Sequence, residues 1–292
     1  MMGKTRLIAI LLMALLAVAL ARFGIVHAAA AQGDWVWISS NDRYSKFYAP
    51  GKVHVLSSLG GTATRIGAWT KTTYSYEGAA ETLKNYGIKV LKPEQLAYSL
   101  AEVEINPQNR IFAYVREDFY DKSGKVIWSK VYNPQQEREI NSQAFDEDFY
   151  TAIVDTVFRY GETERRKAKD RWITLWQSKS GDGASTTAIA DTTTMRLKGS
   201  HLIYWEWVEN KSAQGRVLDI KFMKKDVDIA RITSRIVNSK YWSGETGWKD
   251  MAGELDGSSH SITEKYELMG FNRLQAFVKG YQYWLNRYRL EE

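Results

Sequence analysis

The stretch SQAFDEDFYTAIVDTVFRYG, residues 142–161, decides how the first half of this chain folds. Phe145, Phe149, Ala152, Ile153, Thr156, Val157 and Tyr160 recur at helical spacing and form one apolar face. Ser142 or Asn141 offers a cap, Asp146, Glu147 and Asp148 lie at the positive start, and Gly161 ends the run. Working back from this helix, the chain changes character. Alternation and β-branched or aromatic content predict strands near 34–39, 46–49, 52–57, 64–73, 97–105, 110–120 and 125–132. Asp121-Lys-Ser-Gly124 joins the last two as a tight hairpin. Strands first and one helix last is the order of an α+β domain, an antiparallel sheet with a C-terminal amphipathic helix packed on one face.

Working forward, the plan recurs. Asp34-Trp-Val-Trp37 is answered by Arg171-Trp-Ile-Thr-Leu-Trp176, and Ile66-Gly-Ala-Trp-Thr-Lys71 by Leu202-Ile-Tyr-Trp-Glu-Trp-Val208. Strands are expected near 171–177, 187–190, 193–198, 201–209, 216–223, 229–237 and 246–250. A second helical face follows, Leu274, Phe277, Val278, Tyr281, Trp284, Leu285 and Tyr288, with Ser261-Ile-Thr-Glu264 as a capping box and Gly270 as a point of bending. Arg287 and Arg289 are expected at its C-terminal end, where the helix dipole favours cations. Matched aromatic order points to a duplication. The expected organisation is a signal peptide over 1–31, a first α+β domain over 32–158, a basic linker over 159–171, and a second, diverged domain over 172–292. The two halves differ at 76–93, where the first carries an extra helix-like piece ended by Gly87.

The N-terminus combines Lys4 and Arg6 with an apolar run from Leu7 to Ala21 and small residues at Ala28 to Ala31. That is the pattern of a secretory signal cleaved after Ala28, Ala30 or Ala31. The run is short for a span and is interrupted by Arg22, so no stable transmembrane span is expected after its removal. The chain has 292 residues and a net charge of +6, but Lys4, Arg6 and Arg22 fall in the signal with no acid to offset them, leaving +3. Nucleic acid is a poor partner for an exported chain so mildly charged. Zero Cys excludes disulfides, thiolate chemistry and an acylated cysteine anchor.

Signatures of chemistry are missing. His54, His201 and His260 are scattered, with no zinc spacing, and there is no nucleophile elbow, Walker loop or dinucleotide fingerprint. Glu102 with Glu104, and Asp226 with Asp228, are carboxylate pairs two apart; solvent-facing strand edges account for them more simply than glycosidase chemistry. No catalytic residue, cofactor or metal is therefore expected. Trp35 with Trp37, and Trp205 with Trp207, each point to one strand face, as Trp172 and Trp176 do if their strand is regular. An aromatic on an outer face can stack on a sugar or anchor a protein. The candidate partner-binding residues are Trp37, Trp207 and the basic Arg165, Arg166 and Lys167.

Trp35, Tyr48, Trp69, Lys71, Gly124, Ser142 and the helix that follows form a pattern that resembles the surface-adhesin protein E family of bacterial exported proteins. Trp172, Trp205, Gly244 and Trp248 repeat it more loosely. The resemblance implies a sheet and helix outside the cytoplasm and, in the family's namesake, binding of host extracellular proteins. The expected role is a non-enzymatic exported protein, secreted, periplasmic or at the cell surface, that binds an extracellular protein or glycan. A periplasmic envelope or small-ligand-binding protein is the alternative.

Overall fold

The structure, a computed structural model, describes residues 34–288. The signal peptide expected at 1–31, and Arg289, lie outside them. The chain forms two compact units: Ala63–Arg138 and Asp148–Val157 join the residues up to Ser58 in the first, while Leu59–Thr62, Glu139–Glu147 and everything from Phe158 form the second. Each is built on an antiparallel sheet with helices, as the sequence pattern predicts.

The first sheet contains β1 (Val36–Ser40), β2 (Tyr44–Tyr48), β3 (His54–Leu59), β4 (Thr62–Tyr74), β5 (Tyr98–Asn106), β6 (Ile111–Tyr120) and β7 (Val126–Glu139). Its order is β1-β2-β4-β5-β6-β7, with β3 beside β4. The extra piece in this half is α1 (Tyr76–Asn85), capped by Ser75, whose Oγ accepts the Gly78 N–H at 3.2 Å. Ala79 and Leu83 of α1 pack with Leu96 and Phe119. The closing helix is α2 (Glu147–Phe158), which buries Phe149, Tyr150, Ile153 and Val154. It starts later than its expected cap. Asn141 Oδ1 accepts the Gln143 N–H and the Asn141 carbonyl accepts the Ala144 N–H, both at 3.0 Å, so these residues close a separate turn. Phe145 is consequently exposed. Arg159, at φ 57°, takes the left-handed position after the helix, before Gly161 does.

Alternation decides what each strand shows to α2. Lys46 Nζ lies 3.0 Å from the Asp148 carboxylate, and the Thr156 hydroxyl donates to the Tyr48 hydroxyl. The Lys46 face of β2 therefore looks at α2, together with Thr72, its partner across the ladder, and Thr70. Trp69, Lys71 and Phe47, one residue out of phase, face the other way.

The second sheet contains β8 (Trp172–Lys179), β9 (Ser185–Lys198), β10 (His201–Lys211), β11 (Val217–Asp228), β12 (Thr233–Ser243), β13 (Gly247–Asp250) and β14 (His260–Ser261). The order is β13-β12-β11-β10-β9-β8, with β14 on β12. A short α3 (Glu162–Lys167) precedes it, and α4 (Lys265–Gly280) and α5 (Gln282–Leu285) close the chain. Phe271, Leu274, Phe277 and Val278 of α4 share a core with Leu175, Ala188, Leu202, Tyr204 and Val208. Ser261 lies in β14, so the expected capping box does not form, and Glu264 stands at the N-cap without a side-chain bond. Gly270 does not break α4. A Cβ there would meet Trp176 Cδ1 at 3.4 Å, so the glycine marks where helix and strand come close.

The registers of the two sheets share a detail. In the first, Ala49 donates its N–H to the Trp69 carbonyl, residues 50–53 leave the ladder, and His54 then sits over Gly67. In the second, Asp191 pairs with Trp205, residues 192–195 bulge out, and Arg196 pairs with Ile203. The expected strands 187–190 and 193–198 are thus one strand crossing a bulge, which Thr194 bridges by accepting the Trp205 N–H on Oγ1 at 2.9 Å.

Among the described residues, no helix is long and apolar enough to cross a membrane.

Candidate functional site

One group of aromatic residues in the first unit gathers on the sheet face turned away from α2, while Phe112 and Phe119 lie on the face that the helices cover. Leu100 and Tyr120, at 1% and 2% exposure, lie at the base of this cluster, with Trp35, Trp69, Tyr98 and Val126 partly exposed around them. Tyr98 stacks on Tyr120 with ring centroids 4.8 Å apart and planes within 5°. Lys71 enters from β4. Its ammonium lies 4.8 Å from the Tyr98 centroid, 5.8 Å from Trp35 and 5.9 Å from Phe47. Burial holds its pKa below the usual lysine range. The Lys52 ammonium lies 6.0 Å from the Trp69 ring.

Trp37 sits at the rim. It pairs with Phe47 across the ladder, is 59% exposed, and donates Nε1–H to Ser40 Oγ at 2.8 Å. Its counterpart candidate, Trp207, is half-buried in the second unit, edge-on to Phe222 at 5.7 Å and to Trp248 at 5.8 Å. Trp205 beside it is a core residue, stacked on Phe222 at 4.5 Å. Trp172 and Trp176 do not share a core. A register shift between Thr174 and Trp176 turns Trp176 under α4, and Trp172 lies outside that cluster.

The basic candidates are dispersed. The segment expected as a solvated linker or helical extension includes α3, and Glu162 within it is fully buried. Arg165 is half-buried: its Nε–H donates to Thr192 Oγ1 at 3.0 Å, and its guanidinium lies 5.6 to 5.7 Å from the rings of Phe277, Tyr281 and Trp284. Arg166 is half-buried, and Lys167 alone of the three is exposed. Arg287, expected at a helix end, is buried on Glu162, whose Oε1 accepts its Nε–H at 2.8 Å. A guanidinium finds rings and carboxylates more readily than spacing along the chain reveals.

The acid pairs are not on sheet edges. β5 lies between β4 and β6, and β11 between β10 and β12. Glu104 is held by Arg65, and Asp226 by Arg235 at 2.8 Å and by His201 Nδ1 at 2.8 Å. His201 Nε2 is 3.7 Å from Asp228, and His260 Nε2 is 3.0 Å from Glu267. His54 covers Gly67. Among the described residues, no group of three or more His, Cys, Asp or Glu could hold a metal ion.

One polar cluster escaped the sequence reading. Under α4, the buried Glu206 accepts the Tyr204 hydroxyl at 2.8 Å and the Lys225 ammonium at 3.0 Å. Burial, and then Glu206, push the Tyr204 phenol well above its ordinary pKa. These three residues line a cavity of about 30 Å³ with Trp176, Ser234 and Glu267, room for a water-sized occupant. The signal for it was present: if Trp205 and Trp207 share one face, Glu206 must take the other, beneath the helix.

The fold and this geometry define an α+β protein of two sheet-and-helix units, with an aromatic, lysine-bearing open face on the first sheet. Compared with known proteins, the chain matches no family model and no curated protein.

Proposed function

We propose that this is an exported, non-catalytic binding protein that captures an extracellular macromolecule through the open face of its first sheet, in the manner of a surface adhesin. The observation that carries the reading is the placement of Trp37, Trp69 and Lys71 together on a face that α1 and α2 leave uncovered. Partly exposed indoles beside a lysine supply the large contact area and the polar anchor that binding hot spots use. The resemblance to surface-adhesin protein E and the signal-like N-terminus support the address. The repeated strand succession and the matching four-residue departures, 50–53 and 192–195, support an origin by duplication.

The alternative, a small-ligand carrier, has the cavity under α4 in its favour. Pockets for organic ligands run to roughly 300 Å³ and more, whereas this cavity of about 30 Å³ has room for a water-sized occupant.

The reading is tested by layering the purified protein on intact target cells and on immobilised extracellular matrix. Replacing Trp37 with Ala is expected to lower the retained fraction several-fold while circular dichroism stays unchanged. Protease added outside intact producing cells is expected to cleave the native chain. Retention untouched by Trp37→Ala, together with full protection from the protease, would overturn it.

A further inference from the structure

Trp69 and Lys71 lie two residues apart on β4 and share the open face. Lys71 is half-buried with its ammonium near three rings, and burial is the influence acting on its charge. A cation in that condition gains more from an arriving anion than a solvated lysine does. The acids on the same face are largely committed. Glu104 is held by Arg65, and Asp118 by Arg116 and by the Ser129 hydroxyl. Glu102 lies directly across the ladder from Trp69, and Asp121 acts on the Tyr98 ring.

The backbone narrows the ligand further. β4 runs between β2 and β5, so its main-chain groups around Trp69 are used in ladders. A peptide that binds by adding a strand needs a free edge, which this ledge lacks. Single-stranded nucleic acid needs a groove of several cations that tracks successive phosphates, whereas this ledge offers single lysines among carboxylates, which suits a ligand with isolated anions and many hydroxyls. A sugar ring needs neither. Its C–H face stacks on an indole, its hydroxyls can donate to a carboxylate, and a charged substituent extends from its rim.

We propose that the Trp69–Lys71 ledge binds an acidic saccharide, with a sugar ring stacked on Trp69, its carboxylate or sulfate on Lys71, and a hydroxyl on Glu102. This rests on the reading of the open face as the binding surface, and it names the ligand class.

The test is calorimetric titration of the whole purified protein with hexagalacturonate, a heparin hexasaccharide and neutral maltohexaose. At least one acidic sugar is expected to bind about tenfold tighter than maltohexaose, the worth of one charge-assisted contact, and to weaken with added salt. Lys71→Met, which keeps the stem among the rings, is expected to erase that preference, and Trp69→Ala to abolish binding. Should Lys71→Met fail to fold, Lys71→Arg decides, since it keeps the charge and should retain the preference for acidic sugars. Equal affinity for maltohexaose, tighter binding of a hexaglutamate or of a thymidine hexamer, or no binding of any sugar would overturn the proposal. If Trp37→Ala still lowers adherence to cells or matrix several-fold while no sugar binds, the saccharide inference alone falls. If adherence is indifferent to every variant of this face, the functional reading falls with it.

Discussion

Glu162 and Arg287 stand 125 residues apart in the chain, yet the Arg287 Nε–H donates to Glu162 Oε1 at 2.8 Å, with both side chains wholly buried. Tyr288 donates its hydroxyl to the same oxygen at 3.0 Å, and Arg196 approaches it at 3.4 Å. Within the second unit, the pair ties α3 to the residues after α5. Removing Arg287 takes from the buried carboxylate its nearest guanidinium and leaves it to the more distant Arg196 and to Tyr288. Arg287→Met is expected to cost about 3–5 kcal/mol, read from urea unfolding. The double variant Glu162→Gln with Arg287→Met should recover part of that loss, and a double variant no better than the single one would contradict the account.

Two buried glycines should respond in opposite directions. A Cβ on Gly78 would lie 2.2 Å from the Arg43 carbonyl oxygen, a backbone atom that cannot yield cheaply. Gly78→Ala is expected to destabilise by about 1–3 kcal/mol. The nearest atom to a Cβ on Gly270 is at 3.4 Å, an ordinary contact, in the middle of α4. Gly270→Ala should be neutral or stabilise by up to about 1 kcal/mol through helix propensity. Thermal melts of the two variants separate these outcomes.

Tryptophans that look alike in sequence should differ sharply. Trp205 is 2% exposed and stacked on Phe222, so Trp205→Ala is expected to cost about 3–5 kcal/mol. Trp37 is at the surface, and Trp37→Ala should stay within about 0.5 kcal/mol. Denaturant midpoints check both.

Alkaline pH should unfold this protein by linkage to buried tyrosines. Burial, with Glu117 nearby, holds the Tyr86 phenol far above its ordinary pKa, and Tyr120 and Tyr132 are pushed up to about 12. The unfolded chain ionises near the ordinary tyrosine value of 10.0 while the native chain keeps its protons. The stabilisation is therefore fully present below that pH and is lost as pH climbs through the raised folded-state values. Phenolate absorbance for these residues is expected to appear together with loss of circular dichroism. Phenolate forming well before unfolding would refute it. Tyr86→Phe removes the 2.5 Å bond to the buried Glu117 and should itself cost about 1–3 kcal/mol.

Much of the architecture was legible because it is local. Alternation over 64–73 and 201–209 located β4 and β10, and the 3.6-residue stripe through Phe149 and Ile153 located α2. The helix caps were less legible. Asn141 used its side chain on a turn, and Ser261 was drawn into a ladder with Thr233. Both residues found backbone partners that competed with the helix start. The candidate site was half legible. Trp35 and Trp37 share a face by parity, but nothing in their spacing shows that Trp69 would join that face or that Lys71 would stand among Trp35, Phe47 and Tyr98, which come from three other segments of the chain.

Sequence alone determined the α+β class and the centre of each apolar stripe, Phe149 with Ile153 and Leu274 with Val278, since both follow from periodicities that the backbone imposes on neighbouring residues. The second stripe stops short of its expected end because α4 ends at Gly280 and leaves Tyr281 exposed. Tertiary structure decided where the charges went. Arg165 rests on rings and Arg287 on a buried carboxylate, while Glu206 turned inward to Tyr204 and Lys225. It also decided which face Trp176 joined, because one register shift in β8 reverses every side chain beyond it. A charge chooses its partner by distance in space, and that distance exists only after the sheets have formed.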